Sequence, residues 1–178
     1  MKIYRSIALW AFLSLLIGML QAQDRTGLFL GVGSDLFSVP LTESGMLARA
    51  TAVNAGYAIS PSVNVYVSWE NRLLLDPGLS LFESNNGLGL GAGYRLGGNL
   101  RPSSVELNLQ VVKGLDNFTS SDNLSARAGV RWLFTDSFYI GTGLGYESWE
   151  STILSAGSKS TYNWYCQLGL RIFTGKRK

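Results

Sequence analysis

Apolar and polar residues alternate with a period of two along most of the chain, the pattern of a strand whose two faces meet different surroundings. In segment 162–173, Tyr162, Trp164, Cys166, Leu168, Leu170 and Ile172 share one face; Asn163, Tyr165, Gln167, Gly169, Arg171 and Phe173 share the other. The same division runs through 138–148, where Phe138, Ile140, Leu144 and Tyr146 oppose Gly141, Gly143, Gly145 and Glu147. In 124–134, Leu124, Val130, Trp132 and Phe134 oppose Ser125, Arg127, Gly129 and Arg131; in 104–112, Val105, Leu107, Leu109 and Val111 oppose Glu106, Asn108 and Gln110. In 87–97, Leu88, Leu90 and Tyr94 oppose four glycines and Arg95; in 62–72, Val63, Val65, Val67 and Trp69 oppose Asn64, Tyr66, Ser68 and Glu70. Segments 47–59 (Thr51, Val53, Ala55, Tyr57) and 27–35 (Leu28, Leu30, Val32) follow the rule more weakly. No segment after the first twenty-two residues has sustained helical periodicity. The pattern predicts an all-β chain of eight antiparallel strands, each near the ~9–11 residues that a tilted strand needs to cross a bilayer.

The expected connections fall into two groups. Ser60-Pro61, Gly98 to Pro102 and Thr135-Asp136 are short; 36–46, 74–86, 113–123 and 149–161 are longer and rich in Ser, Asn, Asp and Gly. Short turns at one end and long loops at the other characterise up-and-down outer-membrane barrels, whose turns face the periplasm. An even strand number puts both termini at that end.

Alternation by itself also fits a soluble barrel with an apolar interior, so the faces must decide. The polar face carries Gly, Ser, Asn and Gln, with few of the Lys and Glu side chains that solvate a soluble surface. The apolar face is sorted by height. Tyr57, Tyr94, Trp132, Phe134 and Phe138 lie near the short turns, Trp69, Tyr146, Tyr162 and Trp164 near the long loops, and aliphatic residues between them. Two aromatic girdles around an aliphatic band are what a lipid-facing exterior requires. On these eight segments, the girdles and the ending Gly169-Leu170-Arg171-Ile172-Phe173, the chain resembles the OmpA-type and OmpX-type small outer-membrane barrels. The resemblance implies a transmembrane barrel in contact with outer-membrane lipid. The terminal phenylalanine is similar to the signal read by the barrel-assembly machinery, although Thr174 to Lys178 follow it here.

Composition adds the route of export. Lys2 and Arg5 precede the apolar run Ile7 to Leu20, and Ala22 offers a small residue for cleavage; the run is short for a membrane anchor. Residues 1–22 are therefore expected to be a signal peptide, 23–173 the barrel and 174–178 a short basic tail. Without Lys2 and Arg5, 13 of the 15 basic residues face 12 acidic ones, so the net charge falls from +3 to +1. That removes the main argument for a nucleic-acid partner. Cys166 is the only cysteine, which excludes an intramolecular disulfide.

Candidate chemistry is sparse. The chain has no histidine, the usual general base or base partner of barrel-borne hydrolases and acyltransferases. One cysteine and no histidine leave only carboxylates for a metal. No catalysis, cofactor or metal is expected. Gly87, Gly89, Gly91 and Gly93 lack the lysine and helix of a phosphate loop and instead make room for large inward neighbours. Folding the hairpins places Arg95 beside Glu106, Glu106 within reach of Arg131, and Arg127 diagonal to Glu147. With Glu70 and Arg171 these predict an internal charge network, since a buried charge is costly unless paired. The same pairs as a gate would make a narrow, transport-related pore, the alternative reading. Function is otherwise expected at the loops, as structural or adhesive contact with an extracellular partner. Asp76, Pro77, Leu79, Leu81 and Phe82 form one candidate contact loop, and Phe37, Val39 and Leu41 add apolar residues in the first loop.

Overall fold

The computed structural model describes residues 26–42, 47–76, 81–96, 104–115, 122–134, 137–150 and 158–173. Within them the chain forms eight strands: β1 (Gly27–Pro40), β2 (Leu47–Ala58), β3 (Val63–Asp76), β4 (Leu81–Leu96), β5 (Ser104–Gly114), β6 (Asp122–Leu133), β7 (Phe138–Glu150) and β8 (Ser158–Phe173). Each pairs antiparallel with its sequence neighbours, and β8 pairs with β1, closing the sheet. The eight-stranded antiparallel barrel that the alternation predicts is the observed fold. The expected signal peptide and basic tail lie outside the described residues.

Closure is offset. A row of paired residues starting at Phe29 passes through Gly56, Tyr66, Gly91, Gln110, Arg127, Gly145 and Asn163, and returns to β1 at Pro40. Rows therefore climb toward the loop end, and strands of such a barrel tilt by ~35–45° to its axis. At a rise of ~3.3 Å per residue, the climb brings Tyr57, Tyr94, Trp132, Phe134 and Phe138 to one level and Tyr146, Tyr162 and Trp164 to another about 20 Å away. The aromatics touch within each level: Trp132 stacks on Phe134 at 5.2 Å, and Tyr146 meets Tyr162 at 5.2 Å. Trp69, expected in the loop-end girdle, instead lies between the two levels, at about the height of Leu90 in the aliphatic band.

The outward face between the levels is aliphatic and open, with Leu90 69% and Leu109 63% exposed. The inward face is polar and closed. Inward aromatic rings are seated on inward glycines of neighbouring strands. The Tyr66 ring lies over Gly91, the Phe29 ring over Gly56, the Tyr139 hydroxyl over Gly33 and Gly169, and the Tyr165 hydroxyl over Gly129 and Gly143. A β-carbon at Gly91 would fall inside the Tyr66 ring. The run of alternate glycines in β4 thus answers to side chains of the two strands it pairs with, Tyr66 and Asn64 of β3 and Val112 and Glu106 of β5.

Two expectations need correction. The strands run further toward the loop end than the alternation indicated, so 36–46, 74–86, 113–123 and 149–161 are not long loops. The connections are 41–46, 77–80, 115–121 and 151–157, against 59–62, 97–103 and 134–137 at the other end. The contrast in loop length is replaced by strands that project beyond the upper aromatic level. In 73–76 and 81–86 the period of two is lost while the backbone pairing continues. Asp76, Leu81 and Phe82 accordingly belong to the β3–β4 hairpin, with Asp76 opposite Leu81 and Leu75 opposite Phe82. Pro77 and Leu79 lie outside the described residues.

The second correction concerns Phe37, Val39 and Leu41. The β1–β8 register shifts between Asp35 and Phe37, leaving Leu36 as an extra residue. Such a bulge reverses the side-chain phase. Phe37 and Val39 therefore stay on a strand and face outward beside Cys166 and Trp164, with Phe37 5.3 Å from the Trp164 ring. Leu41 follows, its amide donating to the Tyr162 carbonyl at 2.7 Å.

Glycine substitutions test this packing. Gly91→Ala should cost about 1–3 kcal/mol by overpacking against Tyr66. Gly145→Ala, whose β-carbon would meet Arg127 Cγ at an ordinary 3.6 Å, should stay within about 0.5 kcal/mol. Urea unfolding of the two variants in lipid vesicles compares them directly.

Candidate functional site

The inward phase of every strand converges on a lumen whose buried charges, among the described residues, are five arginines and four carboxylates. They divide into two layers. Near the turns, Glu106 is 0% exposed and is the centre of a cationic group. Arg171 grips it in parallel, Nη1 to Oε2 at 2.9 Å and Nη2 to Oε1 at 2.8 Å. Arg131 approaches at 3.5 Å, Asn64 donates to Oε2 at 2.9 Å, and Arg95 stands directly opposite across the β4–β5 ladder. Three guanidiniums around one carboxylate leave excess positive charge, which aromatic faces partly offset. The Arg131 guanidinium lies 4.8 Å from the Tyr139 ring centre and 5.7 Å from that of Tyr66, and Arg171 lies 4.9 Å from Phe29.

Nearer the loops the balance reverses. Arg72 joins Glu70 at 3.0 Å to Glu147 at 3.2 Å, and Arg127 joins Asp35 at 3.0 Å to Glu147 at 3.6 Å. Gln110 donates to Glu70 at 2.6 Å, Ser125 to Glu147 at 2.9 Å, and the Ala50 amide to Asp35 at 2.9 Å. Arg127 also faces the Tyr165 ring at 5.0 Å. Between the layers, Tyr66 and Asn108 exchange hydrogen bonds at 3.0 and 2.8 Å.

These contacts leave almost no space. The gap bounded by Asp35, Glu70, Gln110, Arg127 and Tyr139 holds about 10 Å³, and that between Phe29, Tyr66, Arg131 and Arg171 holds none. A single water needs about 10–15 Å³ on this measure. Among the described residues no three His, Cys, Asp or Glu side chains are grouped to hold a metal ion.

All seven charges expected in the lumen are buried there: Glu70, Arg95, Glu106, Arg127, Arg131, Glu147 and Arg171. Two partners were missing from that expectation. Asp35 and Arg72 closed the predicted segments 27–35 and 62–72, where they looked like strand ends. Their inward phase, continuous with Phe29 in one case and Glu70 in the other, was the available signal. The strongest pair, Arg171 with Glu106, joins strands β8 and β5 across the lumen, and no hairpin argument reaches it.

Set beside solved structures, the chain is similar to Neisserial surface protein A (NspA). The two share 16% identity over 83% of this chain and 97% of that one, with a TM-score of 0.51. The fold is that of the small eight-stranded outer-membrane barrels. The resemblance read from the girdles and alternation therefore holds at the level of fold. The N-terminal β-barrel domain of Pseudomonas aeruginosa OprF (14% identity, 84% of this chain and 100% of that one, TM-score 0.44) is also similar. So is the outer membrane protein OprG from Pseudomonas aeruginosa (11% identity, 86% and 99%, TM-score 0.40). No protein-family model and no curated protein sequence matches the chain.

The lumen makes a quantitative prediction. Glu106→Gln leaves Arg171, Arg131 and Arg95 facing a neutral amide and should cost about 3–5 kcal/mol, whereas replacing Glu106 and Arg171 together by leucine should cost less. Equilibrium unfolding of the single and double variants measures the difference, and equal losses would refute the pairing account.

Proposed function

We propose that the chain is an integral outer-membrane protein, exported through residues 1–22, with no catalytic activity and a structural or contact role at its loop end. The observation that carries the reading is the inverted distribution of polarity. An open aliphatic band lies between two aromatic levels outside, and a closed, ion-paired layer lies inside. In water such an exterior would aggregate; in a bilayer it is the required surface, and the closed ladder leaves no unpaired edge within the band. Outer-membrane lipid is then the first partner, and the barrel-assembly machinery is the partner in biogenesis that the Phe173 ending suits.

The pore alternative is weaker because the charged layers fill the lumen they would have to gate. Chemistry on a substrate would need a nucleophile and base facing a cavity, and the interior offers neither room nor histidine. What remains accessible is the rim where β3, β4, β7 and β8 project past the upper aromatic level. The β3–β4 hairpin, with Asp76, Leu81 and Phe82 near its tip, is the proposed contact surface.

Outer-membrane fractions run unboiled and boiled on an SDS gel should show a heat-shifted band; a soluble periplasmic chain without one would defeat the membrane reading. In planar bilayers the folded barrel should give no single-channel steps, and conductance altered by Glu106→Ala would restore the pore. Replacing 74–83 by Asn-Gly joins Leu73 to Ser84, which are already paired, and so keeps the register. That variant should keep its heat shift and lose surface adhesion.

A further inference from the structure

The outward surface is not uniformly convex. Val32, Ser34, Thr51, Phe138, Leu168 and Leu170 bound a groove of about 270 Å³ running over β1, between β2 on one side and β7 and β8 on the other. Its height follows from the register. Phe138 belongs to the lower aromatic level, while Ser34, opposite both Thr51 and Leu168, lies in the aliphatic band. Short side chains at 34 and 51 form the hollow, and their hydroxyls bond each other at 3.0 Å. A hydroxyl with no partner in hydrocarbon is costly, so this mutual bond suits the groove to an apolar occupant.

A charge stands at the upper end. Arg49 is exposed on the same outward face of β2 as Thr51, two residues nearer the loops, ~7 Å along the strand. The climb of the paired rows brings it to the level of Phe37 and Trp164. Its Nε donates to the Asp35 carbonyl at 2.7 Å, which fixes the guanidinium in place. The Asp35 carboxylate is turned inward to Arg127 and Ala50, so it does not neutralise Arg49 from outside.

Resting on the membrane reading above, we propose that this groove and Arg49 form a seat for one phosphate-bearing anionic lipid of the loop-side leaflet. The phosphate meets the Arg49 guanidinium, which is suited to paired hydrogen bonds with phosphate oxygens. One acyl chain descends from Thr51 along Ser34 and Val32. A second copy of the chain fits the hollow poorly, because two-fold pairing would set groove against groove and leave a void. Phosphate on a saccharolipid and on a glycerophospholipid presents the same chemistry to Arg49.

The full chain, folded in mild detergent and freed of lipid, is titrated with diphosphoryl lipid A, phosphatidylglycerol and phosphatidylcholine under native mass spectrometry. At least one of the two anionic lipids should bind in a one-to-one complex more tightly than phosphatidylcholine, and the tighter of them identifies the source. Arg49→Gln removes the charged contact and Ser34→Leu fills the groove; each should weaken that complex about tenfold. Both residues face outward, and the heat-shifted band shows that each variant is folded. Unchanged binding in both variants, or equal binding of phosphatidylcholine, overturns the seat; loss in Arg49→Gln alone overturns the acyl groove. Failure of the membrane reading would appear separately, as a soluble chain with no heat shift.

Discussion

Closure of the backbone hydrogen-bond ladder is the constraint on which the rest of this molecule depends. An open sheet leaves unpaired amides along its two edges, and eight strands leave none by returning on themselves. They do so with an offset that carries a row from Phe29 to Pro40. That offset tilts the strands and thereby decides which residues share a height. Tyr57 of β2 and Phe138 of β7 fall in one belt, although nothing in their local sequence relates them. It also sets the lumen width, which at this strand number is just enough for side chains.

A narrow lumen turns the polar face into a packing problem. Glycine and tyrosine answer the steric part, each inward ring resting where a neighbouring strand carries no side chain. The guanidinium groups answer the electrostatic part, since planar Arg can accept a carboxylate along one edge and an aromatic ring on its face. Arg171 does both, with Glu106 and Phe29. Cations gather near the turns and carboxylates near the loops, so the interior is electrically polarised although nearly balanced in total. The bulge at Leu36 serves the same network. It lets Asp35 turn inward to Arg127 while Phe37 and Val39 resume the outward phase.

A lumen filled in this way leaves the outer surface and the rim as the places where the proposed function would lie. The exterior combines a continuous aliphatic band with one local hollow, at Ser34 and Thr51, beneath a fixed arginine. The rim combines projecting hairpins with the connections that join them. Both are outside the charge network, so they can vary without disturbing what holds the barrel closed.

The sequence by itself determined the strand count, the alternation, the inward arginines and glutamates and the two sets of aromatics. Each of these depends only on the period of two and on neighbouring hairpins. Within the band, the outward face is open and apolar and the inward face closed and polar, so polarity records side-chain direction residue by residue. Only the tertiary structure decided how far the strands extend, because in 73–76 and 81–86 the sequence no longer alternates and polarity does not report the pairing that continues there. It alone decided the bulge, since one extra residue at Leu36 makes the alternation seem to end where it merely changes phase. It alone joined Arg171 to Glu106, Arg72 to Glu147 and Arg127 to Asp35, pairs that meet across the lumen. Those contacts depend on closure offset and lumen width, which are properties of eight strands together and are written in no one of them.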